Sequence, residues 1–491
     1  MDDDRLTDGR YTRRRFLRLT AGGLAAGSLA PILAACGGGE GEEAAPPPPP
    51  AEPAEPAAPP PAASTGAAEP AAPPAVDGGG ETMKMWWWGE PEAIGIQKWV
   101  DETIEQFKTE ANYNIDPLLM DTSQVIPQFT NAAAAGEPPD IQFVFNGIYH
   151  MENTWLGYIQ PLNGLVSDDT LAASGATALS TFEGQQYRVG FYIVGFGLEY
   201  DKAAFENAGL DPDSPPTTWD AFLDACDKIK TSGITPISGG IKDGFFGEWY
   251  FVNTLTQNLN SPADALNLFI GELDWRDPQY HEHWVKLQEL YDNGFINEDI
   301  NSLELYQGIQ LTETGKAAMT INTTAALPAA QEILGDRLGY MVFPTFGTGS
   351  MAGIPITDTQ GFCIPAKAAD PQGAAAFLEF MHSQDRVNAM WTTSRALPAD
   401  EKFDSSLIDD PFLKTVYETW WAGDHNVYIA DLMPTLFWTD AMFVISQDIL
   451  SGKLKGEESG EIAAQVTEKW KKQNPDMVEN YTTWGQDLAV A

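Results

Sequence analysis

Residues 192–237, YIVGFGLEYDKAAFENAGLDPDSPPTTWDAFLDACDKIKTSGITPI, carry the reading that decides the fold. The apolar and glycine run through Tyr200 is compatible with a buried strand bounded by turn chemistry. Asp201 and Lys202 then turn the chain into a short helix ending at Gly209, a residue free to take the left-handed conformation that closes helices. Pro215 and Pro216 break the path, and Thr217 or Thr218 can cap a second helix. Trp219, Phe222, Leu223, Cys226 and Ile229 fall on one face of that helix. Lys228 and Lys230 suit its carboxyl end, and Gly233 closes it. The stretch is one strand–helix–helix unit of an α/β protein.

Outward from this unit the pattern repeats. Met83–Trp88 reads as a first strand, and Ile96, Val100, Ile104 and Phe107 mark a helix. Tyr113–Leu119 is a second strand candidate, Val125 through Ala135 a helix closed by Gly136, and Asp140–Phe145 a third strand. Strands alternating with helices predict a mostly parallel sheet with covered faces, whose ligands sit beyond the carboxyl ends of the strands. That points to the loops at Trp88-Gly89-Glu90 and Phe145-Asn146-Gly147. Further on, the periodicity predicts helices over Trp284–Tyr291, over Gly373–Met390 with Phe377, Phe380 and Met381 inward, and from Pro411 with Phe412, Val416 and Trp420. Leu436–Leu450 and Ile462–Trp470 read as closing helices, and Tyr340–Pro344 as a strand.

Several short motifs resemble the extracellular solute-binding proteins of ABC transporters, family 1, in the sugar-binding, maltose-binding-protein-like branch. They are Tyr200-Asp201-Lys202, Ala208-Gly209-Leu210, Thr218-Trp219-Asp220, Gly233-Ile234-Thr235-Pro236, Pro139-Asp140-Ile141, Gly294-Phe295-Ile296-Asn297 and the run from Gly315 to Asn322. The resemblance covers nearly everything from residue 82 onward. It implies an α/β, two-lobed periplasmic-binding-protein-like fold of type II, with a ligand cleft between lobes and three crossover hinge segments. One lobe would comprise residues 82–193 and 361–403, the other 194–360 and 404–491. The chain would return at Gly361–Pro365 and cross again near Leu397–Asp409.

The first residues read as an address. Thr12 to Arg18 match the twin-arginine export pattern, and the apolar run that follows ends in Leu33-Ala34-Ala35-Cys36, which looks like a lipoprotein cleavage box. Residues 1–35 are therefore expected to be a signal peptide and Cys36 a lipidated first residue. This places the mature chain on the outer face of the cell membrane, extracellular or periplasmic. Residues 36–81, rich in Pro, Ala and Glu, cannot bury enough apolar surface to fold and are expected to act as a tether.

The remaining residues, about 410, exceed one compact core and suit two lobes. A formal net charge of −42 argues against nucleic acid as a partner and against flat binding to anionic lipid. Cys226 and Cys363 are expected to be buried free thiols. Catalytic signatures are lacking: there is no nucleophile elbow, phosphate loop or paired-cysteine motif. His281 and His283 form an isolated His-x-His, expected at the surface rather than as a metal site. No cofactor or metal is implied.

The aromatic inventory is more informative. Fifteen tryptophans stand in the chain. A sugar offers an apolar C–H face ringed by hydroxyls, so its site needs flat aromatic surface with carboxylate or amide groups at the rim. Trp88 with Glu90, Phe145 with Asn146, Trp249 with Glu248 and Trp438 with Asp440 have that mix. Trp219, Trp284, Trp420 and Trp470 are expected in the core, and Trp86 and Trp87 in a strand. Phe437-Trp438 matches the family's stacking pair near the start of a late helix. Ala325 and Val144 stand where maltose-binding protein carries further tryptophans, so its specificity does not transfer. Tyr192 and Gln360 lie where the chain would cross between lobes, and Asn322 in the family-like run. The expectation is a monomeric substrate-binding protein that delivers a carbohydrate to an ABC permease. The alternatives are another polar solute, a glycerol phosphoester or polyamine, or a secreted glycan-active enzyme.

Overall fold

The computed structural model describes residues 82–175 and 178–490; the leader, Cys36 and the tether lie outside the described residues. The deciding stretch contains the spine of the molecule. Strands β1 (Thr82–Trp87), β2 (Asn114–Leu119) and β3 (Ile141–Val144) are followed by a small hairpin of β4 (Thr181–Phe182) and β5 (Gln185–Gln186). Strand β6 (Val189–Asp201) comes next, and all its residues are buried. The rest are β7 (Thr235–Ser238), β8 (Ala317–Thr323), β9 (Leu338–Met341), β10 (Ile356–Cys363) and β11 (Asn426–Val427).

The main sheet runs β2-β1-β3-β10-β6-β8-β7, with β9 beside β6 and β11 beside β10. It is mixed, not mostly parallel. The β1–β2, β1–β3, β7–β8 and β10–β11 pairs are parallel. The β3–β10, β10–β6, β6–β8 and β6–β9 pairs are antiparallel. The units at the two ends supply the β1–β2, β1–β3 and β7–β8 parallel pairs, as expected from their alternation, and the short β11 adds a fourth beside β10. The antiparallel pairs come from β6 and β10, which join those ends and leave no local signature of direction. Along β6, residues from Val189 to Phe196 pair with β10, and those from Phe196 to Tyr200 pair with β8. A third segment lies beside β6: the Ile193 N–H donates to Leu397 O and the Ala399 N–H to Phe191 O, both within 3.1 Å.

The helices after β6 follow the local chemistry. Asp201 caps Lys202–Asn207, Gly209 has φ +74°, and Thr218 caps Trp219–Ser232. Trp219, Phe222, Ala225, Cys226 and Ile229 are buried, while Leu223 is half-buried at the edge of that face. Cys226 and Cys363 are free and buried.

Two expectations are corrected. The helix expected over 373–390 is two, Pro371–Met381 and Gln384–Ser394, because Ser383 takes an extended N-cap conformation and restarts the chain. The helix expected from Trp284 begins at Pro278, capped by Asp277, so His281 and His283 lie inside it and are buried rather than at the surface. His283 packs edge-on against Phe251 and beside Trp284. Trp219, Trp284, Trp420 and Trp470 are all buried. Among the described residues no helix is long and apolar enough to cross a membrane.

Candidate functional site

The polar residues of interest gather where β6 and β10 run side by side. Between Thr359/Gly361 on β10 and Ile193/Gly190 on β6 the register shifts, so β6 carries one extra residue there. Such a bulge re-aims side chains beside it, here at Tyr192, and leaves the alternation of β10 intact. Asp358 and Gln360 therefore fall on one face of β10. The buried Tyr192 hydroxyl donates to Glu92 Oε2 at 2.9 Å. The Tyr192 ring lies 3.1 Å from where a Cβ on Gly89 would stand, so the loop after β1 is seated on it.

The loop after β3 closes from the same side. The Ser180 hydroxyl donates to Asn146 Oδ1 at 3.0 Å, and Asn146 hydrogen-bonds Asp358. At Gly147, φ is +58°, and a Cβ there would stand 2.2 Å from Asp431 O. No side chain fits between this loop and the Ile429–Leu432 turn. Asp431 contacts Asp358, and both lie near the Arg188 guanidinium. Arg188 itself donates from Nε to Ser180 Oγ at 3.0 Å and from Nη2 to Thr359 Oγ1 at 2.7 Å.

The aromatic side is built on the Phe245–Leu255 helix. Trp438 Nε1 donates to Glu248 Oε2, and the Tyr428 hydroxyl to Glu248 Oε1 at 2.6 Å. Tyr428 stacks on Phe196 with centroids 4.3 Å apart, and Trp249 meets Phe196 edge-on at 5.6 Å. The half-buried Trp438 ring stacks on Phe443 at 5.7 Å and passes over Gly244, whose absent Cβ makes room for it. Residues Trp438–Met442 form a single π turn, a local widening frequent at functional sites.

Burial sets the electrostatics. It raises Glu92 to about 8, partly offset by the Tyr192 hydroxyl and reinforced by Asp358. Burial also raises Asp358, against the pull of Arg188, and holds Asp431 well above the usual carboxylate range, with Asp358 adding to it. Tyr192 and Tyr306 are likewise pushed up by burial and by Glu92.

Of the residues singled out in the sequence, Asn146, Tyr192, Trp249, Trp438 and Gln360 fall in or against this arrangement. Phe145 meets Trp88 at 5.2 Å and forms an aromatic wall behind the loop. Trp88 is buried, with Nε1 donating to Thr122 Oγ1 at 2.8 Å. Glu90 is drawn away: its carboxylate accepts the Gly95 and Gln97 N–H groups at the start of the Ile96–Ala111 helix. Asn322 is engaged by Glu199 Oε2 at 2.7 Å and the Thr323 N–H at 2.8 Å. Asp440, expected beside Trp438, pairs with Lys469 instead, and Glu248 takes that place. Glu92, Arg188, Asp358, Tyr428 and Asp431 were not singled out, since no spacing marks them. The signal available was a lone arginine entering an apolar strand and a lone aspartate in β10. Two cavities lie elsewhere, one beside His382 and one of about 190 Å³ near Lys367. Among the described residues no group of three metal-ligating side chains occurs.

Residues 102–415 match the family described as bacterial extracellular solute-binding protein. The chain is 29% identical over 153 residues to the sn-glycerol-3-phosphate-binding periplasmic protein of Escherichia coli (strain K12), a match covering 30% of this chain. It thus spans about a third, 33%, of the length of that curated relative. Among solved structures, a chitin oligosaccharide binding protein superposes with a TM-score of 0.69 at 20% identity, over 79% of this chain and 98% of that one. The maltose/maltodextrin-binding domain from Bdellovibrio bacteriovorus superposes with a TM-score of 0.64 at 18% identity, over 80% of this chain and all of that one. These likenesses establish the two-lobed fold of periplasmic sugar-binding proteins.

Proposed function

Since the chain belongs to the bacterial extracellular solute-binding proteins, we propose that it captures a carbohydrate between its lobes and delivers it to an ABC permease. One observation carries the carbohydrate reading. Glu248 joins Trp438 and Tyr428 into one unit of aromatic face and carboxylate, the combination that a C–H face ringed by hydroxyls requires. In this reading residues 82–193 and 361–403 form one lobe and 194–360 and 404–491 the other. Closure around the solute is a population shift driven by contacts made only in the closed form. The chain would act as a monomer, exported by the twin-arginine route and held to the membrane by lipid on Cys36.

A glycerol phosphoester is the reading that the curated relative favours. Against it, Glu92, Glu248, Asp358 and Asp431 are all buried here, while Arg188 is the only buried lysine or arginine among the described residues. A dianionic phosphate would find a single buried guanidinium among carboxyls that would have to stay protonated beside it. The decisive experiment is a thermal-shift screen of residues 82–491 against mono- and oligosaccharides and glycerol 3-phosphate, with recovery of the bound solute. A sugar that raises the melting temperature, binds one-to-one and returns unchanged supports the proposal. Steady release of a cleaved product favours a glycan-active enzyme, and stabilisation by glycerol 3-phosphate alone overturns the carbohydrate reading.

A further inference from the structure

The same cluster says something about the ligand's charge. Glu92 and Glu248 are each 4% exposed, Asp358 5% and Asp431 1%; Asp358 and Asp431 lie near the one buried guanidinium, with Glu92 beside Asp358 and Glu248 beside Asp431. Arg188 does not neutralise them pairwise, because its donors go to Ser180 and to Thr359. Glu248 is met by Tyr428 and Trp438, Glu92 by Tyr192, and Asp358 by the Thr359 N–H and Asn146. Asp431 meets another carboxyl, Asp358, and its Oδ2 is buried without an N–H or hydroxyl donor.

A second, separate atom is in the same condition. Gln360 is 4% exposed, lies on the Asp358 face of β10, and its Oε1 has no protein donor either. A buried acceptor without a donor is costly, and a buried carboxylate without a counter-charge more so. Both orphans call for a donor, and the excess of carboxylates calls for a positive one. A hydroxyl supplies one donated hydrogen and no charge; an ammonium supplies three and a full charge.

Resting on the carbohydrate reading above, we infer that the ligand carries a basic nitrogen, as an amino sugar does, whose ammonium is held by Asp358, Asp431 and Gln360. The aromatic unit at Trp438 holds the hydroxylated framework beside it. Until that cation arrives, protons serve in its place: Asp431 and Asp358 touch, and burial favours their protonated forms. Binding of the ammonium then displaces a proton to solvent. Glu92, Tyr192, Tyr306, Arg188 and His150 also face this region and share in its titration.

The test is a matched series on residues 82–491: glucosamine, N-acetylglucosamine and glucose, as monomers and as β-1,4 tetramers. These differ at one substituent, which is an ammonium, an amide or a hydroxyl. Calorimetry should give the amine member at least about tenfold tighter binding than its partners. It should also show a binding enthalpy that varies with the buffer's ionisation heat, which reports proton release. Asp431→Asn and Asp358→Asn should each reduce the amine-to-hydroxyl ratio toward one. Because that readout is a ratio within one variant, it is insensitive to a loss of folded fraction. Equal or tighter binding of the neutral members overturns the inference and leaves the carbohydrate reading standing. Binding of spermidine with no glycan overturns the carbohydrate reading, and binding of none of these probes overturns both.

Discussion

Trp438 and Trp420 look alike in the sequence and differ in what surrounds them. Trp420 is buried, with Nε1 donating to Phe196 O at 3.1 Å and its ring against Tyr340. Trp438 is half-buried, with one face on Phe443 and its N–H on Glu248. Trp420→Ala should therefore lose ~3–5 kcal/mol of folding stability, the usual result of emptying a core site. Trp438→Ala should lose clearly less stability but about thirtyfold in ligand affinity, corresponding to ~2 kcal/mol for a central aromatic anchor. Denaturation midpoints and affinities measured on both variants check this. Equal stability losses with unchanged affinity would place Trp438 in the core. Glu92 offers a pH test. Its folded value is about 8 against an ordinary 4.5, so its contribution is fully present below about 4.5 and is lost as pH rises through 8. The melting temperature should fall between pH 5 and 8.5, and Glu92→Gln should flatten that fall. At this scale the recognisable Phe437-Trp438 pair suggested Trp438 beside a carboxylate, but the carboxylate is Glu248 rather than Asp440. Glu92 was not legible, because Glu90 is the nearer carboxylate to the strand end. Only the helix start at Gly95 and Gln97, which takes Glu90, leaves Glu92 to turn inward.

Among the elements, helices with strong caps and a clear apolar face were legible, as Thr218 and Gly233 show for Trp219–Ser232. Strand partners were not, because β6 and β10 pair across 160 residues or more and their direction is decided by topology rather than by local pattern. The β6 bulge and the π turn at Trp438 were also illegible, since each is one extra residue accommodated by tertiary packing. Gly147 joins the two kinds of information. Any glycine can mark a turn, but only the fold shows that a Cβ on Gly147 would stand 2.2 Å from Asp431 O. Gly147→Ala should keep the β3 loop from reaching the Ile429–Leu432 turn and so oppose closure. We expect at least about tenfold weaker binding, with a stability loss of ~1–3 kcal/mol from the positive φ. Small-angle scattering distinguishes the causes. The wild type should contract on saturation with ligand, whereas the variant should stay extended at the same ligand concentration. A variant that contracts normally would show that the approach at Gly147 does not limit closure.

Across the whole molecule, the sheet joins its two ends through β6 and β10, with the segment at Leu397–Ala399 hydrogen-bonded to β6. The resemblance implies that the chain crosses between lobes there, whereas composition alone indicates only that the chain is too long for one core. Residues 36–81 hold almost nothing to bury, and a tether of that length could extend on the order of 140 Å as polyproline II. In the proposed function, that reach would let a lipid-anchored body search for a permease while staying near the membrane. The proposed anchor rests on Leu33-Ala34-Ala35-Cys36 and the export signal on Arg13-Arg14. A single acyl chain binds membranes only marginally, so durable attachment needs the two chains that a diacylated cysteine supplies. Cys36→Ala should thus leave a folded body that is either unprocessed or released in soluble form, with unchanged ligand affinity in residues 82–491. Replacing Arg13 and Arg14 by Lys should hold folded protein inside the cell. Fractionation with an acyl-label assay reads both outcomes together. If the Cys36→Ala chain is processed and still sediments with membranes, the anchor is elsewhere, and the 36–81 segment is not the tether that sets the protein's reach.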